Sequence, residues 1–112
     1  MKYYTDGFTI YSNPSEYGGG YTVVCENGSV IEREFIRKKG FTCNEGEILG
    51  IWSALRLAGE GDIISTDSSC ARIWALSGHS KKRQDLNQLL ECCQLFIKEK
   101  YIWISISFLC NT

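Results

Sequence analysis

At Thr42 the hydrophobic pattern of this chain changes period, and that change constrains the fold more than any other feature. Upstream, aromatic and β-branched residues come in short runs broken by turn residues. Tyr3 to Tyr11 reads as a first strand, Tyr21 to Cys25 as a second and Val30 to Lys38 as a third. Asn27-Gly28, inside the turn Glu26–Ser29, is the strongest short hairpin signal. Glu32, Arg33 and Glu34 give the third strand the charge that suits a sheet edge. Ser12 to Gly20 carries Asn13-Pro14-Ser15 and Gly18-Gly19-Gly20. That is turn chemistry, and it predicts a flexible hairpin connection rather than a phosphate cradle, because no G-x-x-x-x-G-K-[ST] pattern follows.

From Thr42 onward the spacing is helical. Thr42-Cys43-Asn44-Glu45 fits a capping box, with Thr42 as N-cap. Ile48, Ile51, Trp52 and Leu55 carry the helix to about Ala58, and Gly59-Glu60-Gly61 ends it. Asp62 to Thr66 is a short fourth strand with a helix on each side, which predicts a parallel crossover into the sheet. A second helix runs from Ser69 to about Leu76, and Ser77 to Arg83 is polar. A third spans Asp85 to about Lys98, with Leu86, Leu89, Leu90, Cys93 and Ile97 on one face. Tyr101 to Phe108 is a fifth strand.

Composition narrows the function. A chain of 112 residues fits one domain over residues 1–112, and 44% hydrophobic with 12% aromatic residues supports a real core. The net charge of -1 gives no global basic field, so a polyanion would need local clusters or metal ions. Six cysteines without a C-x-x-C pair, and His79 as the lone histidine, argue against a zinc site. Adjacent Cys92 and Cys93 suit small apolar fillers. No signal peptide follows Met1, and the run Tyr101 to Cys110 is about half of the ~20 residues a membrane helix needs. A soluble cytoplasmic protein with no membrane partner is expected.

Three carboxylates stand at special places. Asp6 lies mid-strand, where a charge is costly, and Gly7 beside it allows close backbone approach. Glu47 falls in the first turn of the first helix, where acids are common anyway. Asp67 ends the fourth strand, at the usual ligand edge of an α/β sheet, where it also suits an N-cap. If the first and fourth strands are neighbours, the three converge. Clustered carboxylates repel unless a cation lies between them, and oxygen-only ligands favour Mg²⁺ or Mn²⁺. Such ions typically act on phosphates.

In these residues the chain resembles the ribonuclease H family, type 1 branch. Tyr4-Thr5-Asp6-Gly7 with Gly20-Tyr21-Thr22-Val23-Val24 is similar to its first hairpin. Thr42-Cys43-Asn44-Glu45-Gly46-Glu47-Ile48-Leu49 is similar to its T-N-N-x-x-E-L motif, and Ser65-Thr66-Asp67-Ser68 to its T-D-S motif. The resemblance implies an α/β ribonuclease H-like fold with a five-stranded mixed sheet of order 3-2-1-4-5, flanked by helices. It implies two-metal hydrolysis of the RNA strand of RNA–DNA hybrids, with Asp6, Glu47 and Asp67 as catalytic metal ligands. Gly7, Asn44, Ser68, Lys81, Lys82 and Arg83 are the implied nucleic-acid contacts, Asn44 toward a 2′-hydroxyl.

The chain departs from the family pattern at three points. Cys43 stands where an Asn is usual. Few residues separate Leu76 from the last helix, so no basic protrusion is expected; Lys81, Lys82 and Arg83 either replace it or form a solvated cluster. No Asp or Glu follows Glu99, so the family's C-terminal segment with a fourth carboxylate and a mobile histidine is expected to be missing, and His79 reads as an exposed loop residue. The alternative to an active nuclease is a weakened or inactive nucleic-acid-binding or partner-binding module. The apolar strand Tyr101–Phe108 lies at a sheet edge in the implied order, which predicts pairing with a second copy or another partner.

Overall fold

The structure, a computed structural model, describes residues 1–107. The chain runs β1 (Lys2–Thr9), β2 (Gly19–Cys25), β3 (Val30–Ile36), α1 (Cys43–Leu57), β4 (Ile63–Thr66), α2 (Ser69–Ser77), a 3-10 turn (Gln84–Leu86), α3 (Asn87–Lys100) and β5 (Trp103–Ile106). The strands form one five-stranded sheet in the order β3-β2-β1-β4-β5. β1, β2 and β3 form the antiparallel meander, while β4 runs parallel to β1 and β5 parallel to β4. Both the mixed sheet and its order agree with the expectation.

Side-chain alternation sets the register. Tyr3, Thr5 and Gly7 of β1 face inward, as do Tyr21, Val23 and Cys25 of β2. They meet Ile48, Ile51, Ala54 and Leu55 of α1, and Ile64, Leu90, Cys93 and Ile104 complete the same core. Burial of such side chains contributes roughly 1.5–3 kcal/mol each. α1 lies close to the sheet because its inner face is small. A Cβ on Gly46 would come within 2.6 Å of the Gly20 carbonyl oxygen, and one on Gly50 within 3.2 Å of Tyr21 Cβ.

Thr42 caps α1 as the sequence predicts, its hydroxyl accepting from the Glu45 N–H at 3.2 Å. The Glu45 carboxylate pairs with cations instead of closing the box, with Lys38 Nζ at 2.6 Å and Arg83 Nη2 at 3.2 Å. Gly19 and Gly20 belong to β2 rather than to the turn, because Phe41 packs against that backbone; a Cβ on Gly19 would lie 2.6 Å from Phe41 Cδ1. The connection before them is built rather than slack. Buried Ser15 bridges to Phe41, and its hydroxyl accepts from the Tyr17 and Gly18 N–H groups.

β3 and β5 are the sheet edges. Four residues of the predicted fifth strand, Trp103–Ile106, form β5, and Phe108 lies outside the described residues. Arg72 of α2 donates through Nε to the Ile104 carbonyl at 2.7 Å, with its guanidinium 4.8 Å from the Trp103 ring centroid. Among the described residues, no helix is long and apolar enough to cross a membrane.

Candidate metal centre

The parallel pairing of β1 and β4 builds the site. Thr5 lies opposite Thr66, so the next residue of each chain, Asp6 and Asp67, emerges at adjacent positions where β4 ends. Ser68 takes the capping role at the start of α2, its hydroxyl accepting from the Ala71 N–H at 3.1 Å. Asp67, immediately before it, is exposed to solvent.

Glu47 arrives from beneath. It is the fifth residue of α1, just past the first turn where it was expected. Gly7 lets it in: a Cβ there would lie 2.5 Å from the Gly46 carbonyl carbon, so any larger residue would push α1 away. The Gly7 N–H donates to Glu47 Oε1, and the Thr66 hydroxyl donates to Oε2 at 3.4 Å. Thr66 Oγ1 in turn accepts from the Ser68 N–H at 3.1 Å. Asp6, Glu47 and Asp67 each bring a carboxylate oxygen to within 4.8 Å of the other two.

The electrostatics show what this convergence costs. Burial pushes the Glu47 carboxyl up to about 8, with the charges of Asp67 and Asp6 adding to it, while the Gly7 N–H pulls the other way. The Asp6 carboxyl is also raised, by desolvation first and by Asp67 second, although a hydrogen bond with Glu47 counteracts this. Without a cation, ionising Glu47 and Asp6 so close together is costly. The donor set is oxygen only and open to solvent on the Asp6 and Asp67 side, which fits a hard divalent ion that keeps part of its water shell.

Asn44 is exposed at the second position of α1. Lys81 and Lys82 are exposed in the segment after α2. Arg83 is turned inward: it donates to Thr42 Oγ1 at 2.7 Å, to Glu45 at 3.2 Å and to both Asp85 oxygens at 2.8 and 2.9 Å. It therefore fastens this segment to the N-terminus of α1. His79 is exposed. Cys43 lies beside the centre, its Sγ 3.9 Å from the Gly7 carbonyl oxygen, and its thiol is pushed up by burial and then by Glu47, Asp6 and Asp67. The sequence reading missed Thr66 as a support for Glu47, and it missed the Gly46–Gly50 face. The i, i+4 glycine pair inside a helix was the available signal for that face.

No family model and no curated protein matches the sequence. Solved structures do match. Ribonuclease H1 from the archaeon Halobacterium salinarum superposes with a TM-score of 0.65 at 17% identity, covering 98% of this chain and 85% of that one. A ribonuclease H1 isolated from compost, solved in complex with an RNA/DNA hybrid, gives 0.64 at 17% identity, covering 95% and 83%. The PFV ribonuclease H domain gives 0.67 at 20% identity, covering 99% and 82%. Strand order, helix placement and these superpositions together establish that the chain has the ribonuclease H-like fold.

Proposed function

We propose that this protein is a divalent-metal-dependent endoribonuclease that hydrolyses the RNA strand of RNA–DNA hybrids by a two-metal mechanism. The observation that carries the reading is the meeting of Asp6, Glu47 and Asp67 within 4.8 Å, at the end of the parallel strands of a ribonuclease H-like sheet. A similar fold in the compost ribonuclease H1 was solved with an RNA/DNA hybrid, which supports the substrate class.

In this reading Asp6, Glu47 and Asp67 hold Mg²⁺ or Mn²⁺. The bound ions supply charge neutralisation at the phosphate and lower the pKa of water. The chain's own contribution is positional. Gly7 and Thr66 fix the two oxygens of Glu47, and Ser68 caps α2, so that no cap competes for Asp67. Exposed Asn44 stands ready to meet a 2′-hydroxyl, the group that separates RNA from DNA. Exposed Lys81 and Lys82 offer phosphate contacts, and Arg83 ties their segment to the start of α1.

The test is cleavage of a hybrid labelled on its RNA strand, with Mg²⁺ and with Mn²⁺. The expected products carry 3′-hydroxyl and 5′-phosphate ends, and Asp6→Asn or Asp67→Asn abolishes cutting. A hybrid that is bound but left intact would replace the nuclease with a binding module. Pairing of β5 with a second copy would have to accommodate Arg72, which already engages the Ile104 carbonyl. A monomer in light scattering at high concentration would end the dimer reading.

A further inference from the structure

A second feature lies where the β1–β2 connection meets the end of β3. An open cleft of about 460 Å³ is lined by Glu16, Tyr17, Phe35, Arg37, Lys38 and Lys39. It gathers three consecutive cations of a chain whose net charge is -1. Lys38 is committed to Glu45 at 2.6 Å, whereas among the described residues neither Arg37 nor Lys39 forms an ion pair. Two aromatic rings stand open beside them: Tyr17 is 60% exposed and Phe35 51% exposed. Tyr11 meets Tyr17 edge to face, with centroids 5.4 Å apart, and so steadies its ring.

The cleft is preorganised. Ser15, 1% exposed, pins the loop that carries Tyr17. Its hydroxyl donates to the Ile10 carbonyl at 2.6 Å and accepts from the Tyr17 N–H at 3.0 Å. Its backbone bonds to Phe41 at 2.8 Å and Gly40 at 2.7 Å, just past the cationic run. Asn13 of the same loop accepts from the Cys43 N–H at 3.0 Å, at the first residue of α1. Hydrogen bonds therefore tie the loop of the cleft to the start of α1.

Free cations beside open aromatic faces are the elements of a single-strand binding surface. The cations track phosphates, and each ring stacks on a base whatever its sequence. We infer that the Tyr17–Phe35–Arg37–Lys39 cleft binds a single-stranded nucleic-acid segment, such as an unpaired flank running on from a duplex held at the carboxylates. The choice of nucleic acid as the polyanion rests on the proposed function; the charge and the rings do not. Glu16, the one acid among the lining residues, disfavours an acidic peptide no less than a phosphate, so charge does not choose between them.

The experiment is fluorescence anisotropy of a labelled oligothymidylate, single-stranded and without a cleavable RNA strand. Wild-type protein is expected to bind it, more weakly as salt rises. Arg37→Ala with Lys39→Ala should weaken binding about tenfold and flatten the log–log salt slope by about 1.4, because two phosphate contacts are lost. Tyr17→Ala should weaken binding at least roughly fivefold with the slope unchanged. All three positions are surface positions, so circular dichroism should show intact folding, and cutting of a short blunt hybrid should be unaffected. Binding that is absent, that ignores these substitutions, or that polyglutamate displaces as well as an oligonucleotide of equal charge would overturn the inference. Oligothymidylate binding without hybrid cleavage would sink the nuclease reading and leave this one standing.

Discussion

Replacing Glu47 with Gln should stabilise the metal-free protein at alkaline pH, an unusual outcome for a buried residue at the heart of a site. Glu47 is 5% exposed, and its carboxyl is pushed up from 4.5 to about 8. A folded-state pKa above the unfolded value means the native state holds the proton more tightly. Native stability is then complete below the unfolded value of 4.5, and it falls as pH rises toward the folded value of about 8. The full shift corresponds to roughly 5 kcal/mol. The charges of Asp67 and Asp6 contribute to that shift and do not belong to Glu47 alone, so about 2–4 kcal/mol is the expected loss attributable to Glu47. Gln keeps an oxygen for the Gly7 N–H and can donate to Thr66 Oγ1, and it cannot ionise. Urea denaturation with chelator present should show the variant more stable than wild type by about 2–4 kcal/mol near pH 9, and nearly equal to it near pH 5. Added Mg²⁺ should raise the wild type and leave the variant behind, because a ligand of the native state stabilises it by mass action. A variant less stable than wild type near pH 9 without metal, or a gap that ignores pH, would refute the reasoning.

Gly7→Ala places a Cβ 2.5 Å from the Gly46 carbonyl carbon, so α1 must shift; a loss of about 2–3 kcal/mol in urea midpoints is expected, together with loss of metal-induced stabilisation. Arg83→Met removes the contacts to Thr42 and Glu45 and leaves the buried Glu45 carboxylate to Lys38 alone, which should cost about 1–3 kcal/mol. A double-mutant cycle with Glu45→Gln should recover much of that cost, and an additive cycle would contradict the clamp. Tyr21→Phe removes a 2.5 Å hydrogen bond to Glu32, whose carboxyl is held low by Ser53 first and Tyr21 second. That stability is present above the ordinary glutamate value and lost as pH falls through the lowered one, so the variant should lose about 1 kcal/mol at neutral pH and less of it in acid.

The sequence carried most of this architecture because local signals and global topology agree. The Asn27-Gly28 turn, the Thr42 cap and the change from strand to helix spacing each fixed an element to within a few residues. Asp6 was legible as an isolated charge inside a strand and Glu47 and Asp67 as charges at element ends, and the structure brings the three together. What escaped depends on contacts between distant segments. That Gly19 and Gly20 are strand residues depends on Phe41 packing against Gly19 and on Glu34 and Phe8 closing over Gly20, which no local pattern records. Arg83 read as either a nucleic-acid contact or part of a solvated basic cluster, but Thr42 and Glu45, far away in sequence, draw its guanidinium inward. Ser15 resembled any turn serine until its bridge to Phe41 gave it a structural role.

On the proposed function, Asp6, Glu47 and Asp67 form one site for a divalent cation. Titration calorimetry with Mn²⁺ on chelator-stripped protein tests it most directly. Wild type should bind with proton release near neutral pH, because Glu47 must give up its proton to coordinate. Asp67→Asn should weaken that binding at least roughly tenfold, by loss of one carboxylate ligand. Binding of unchanged strength in Asp67→Asn, or no Mn²⁺ binding to the wild type, would contradict the account.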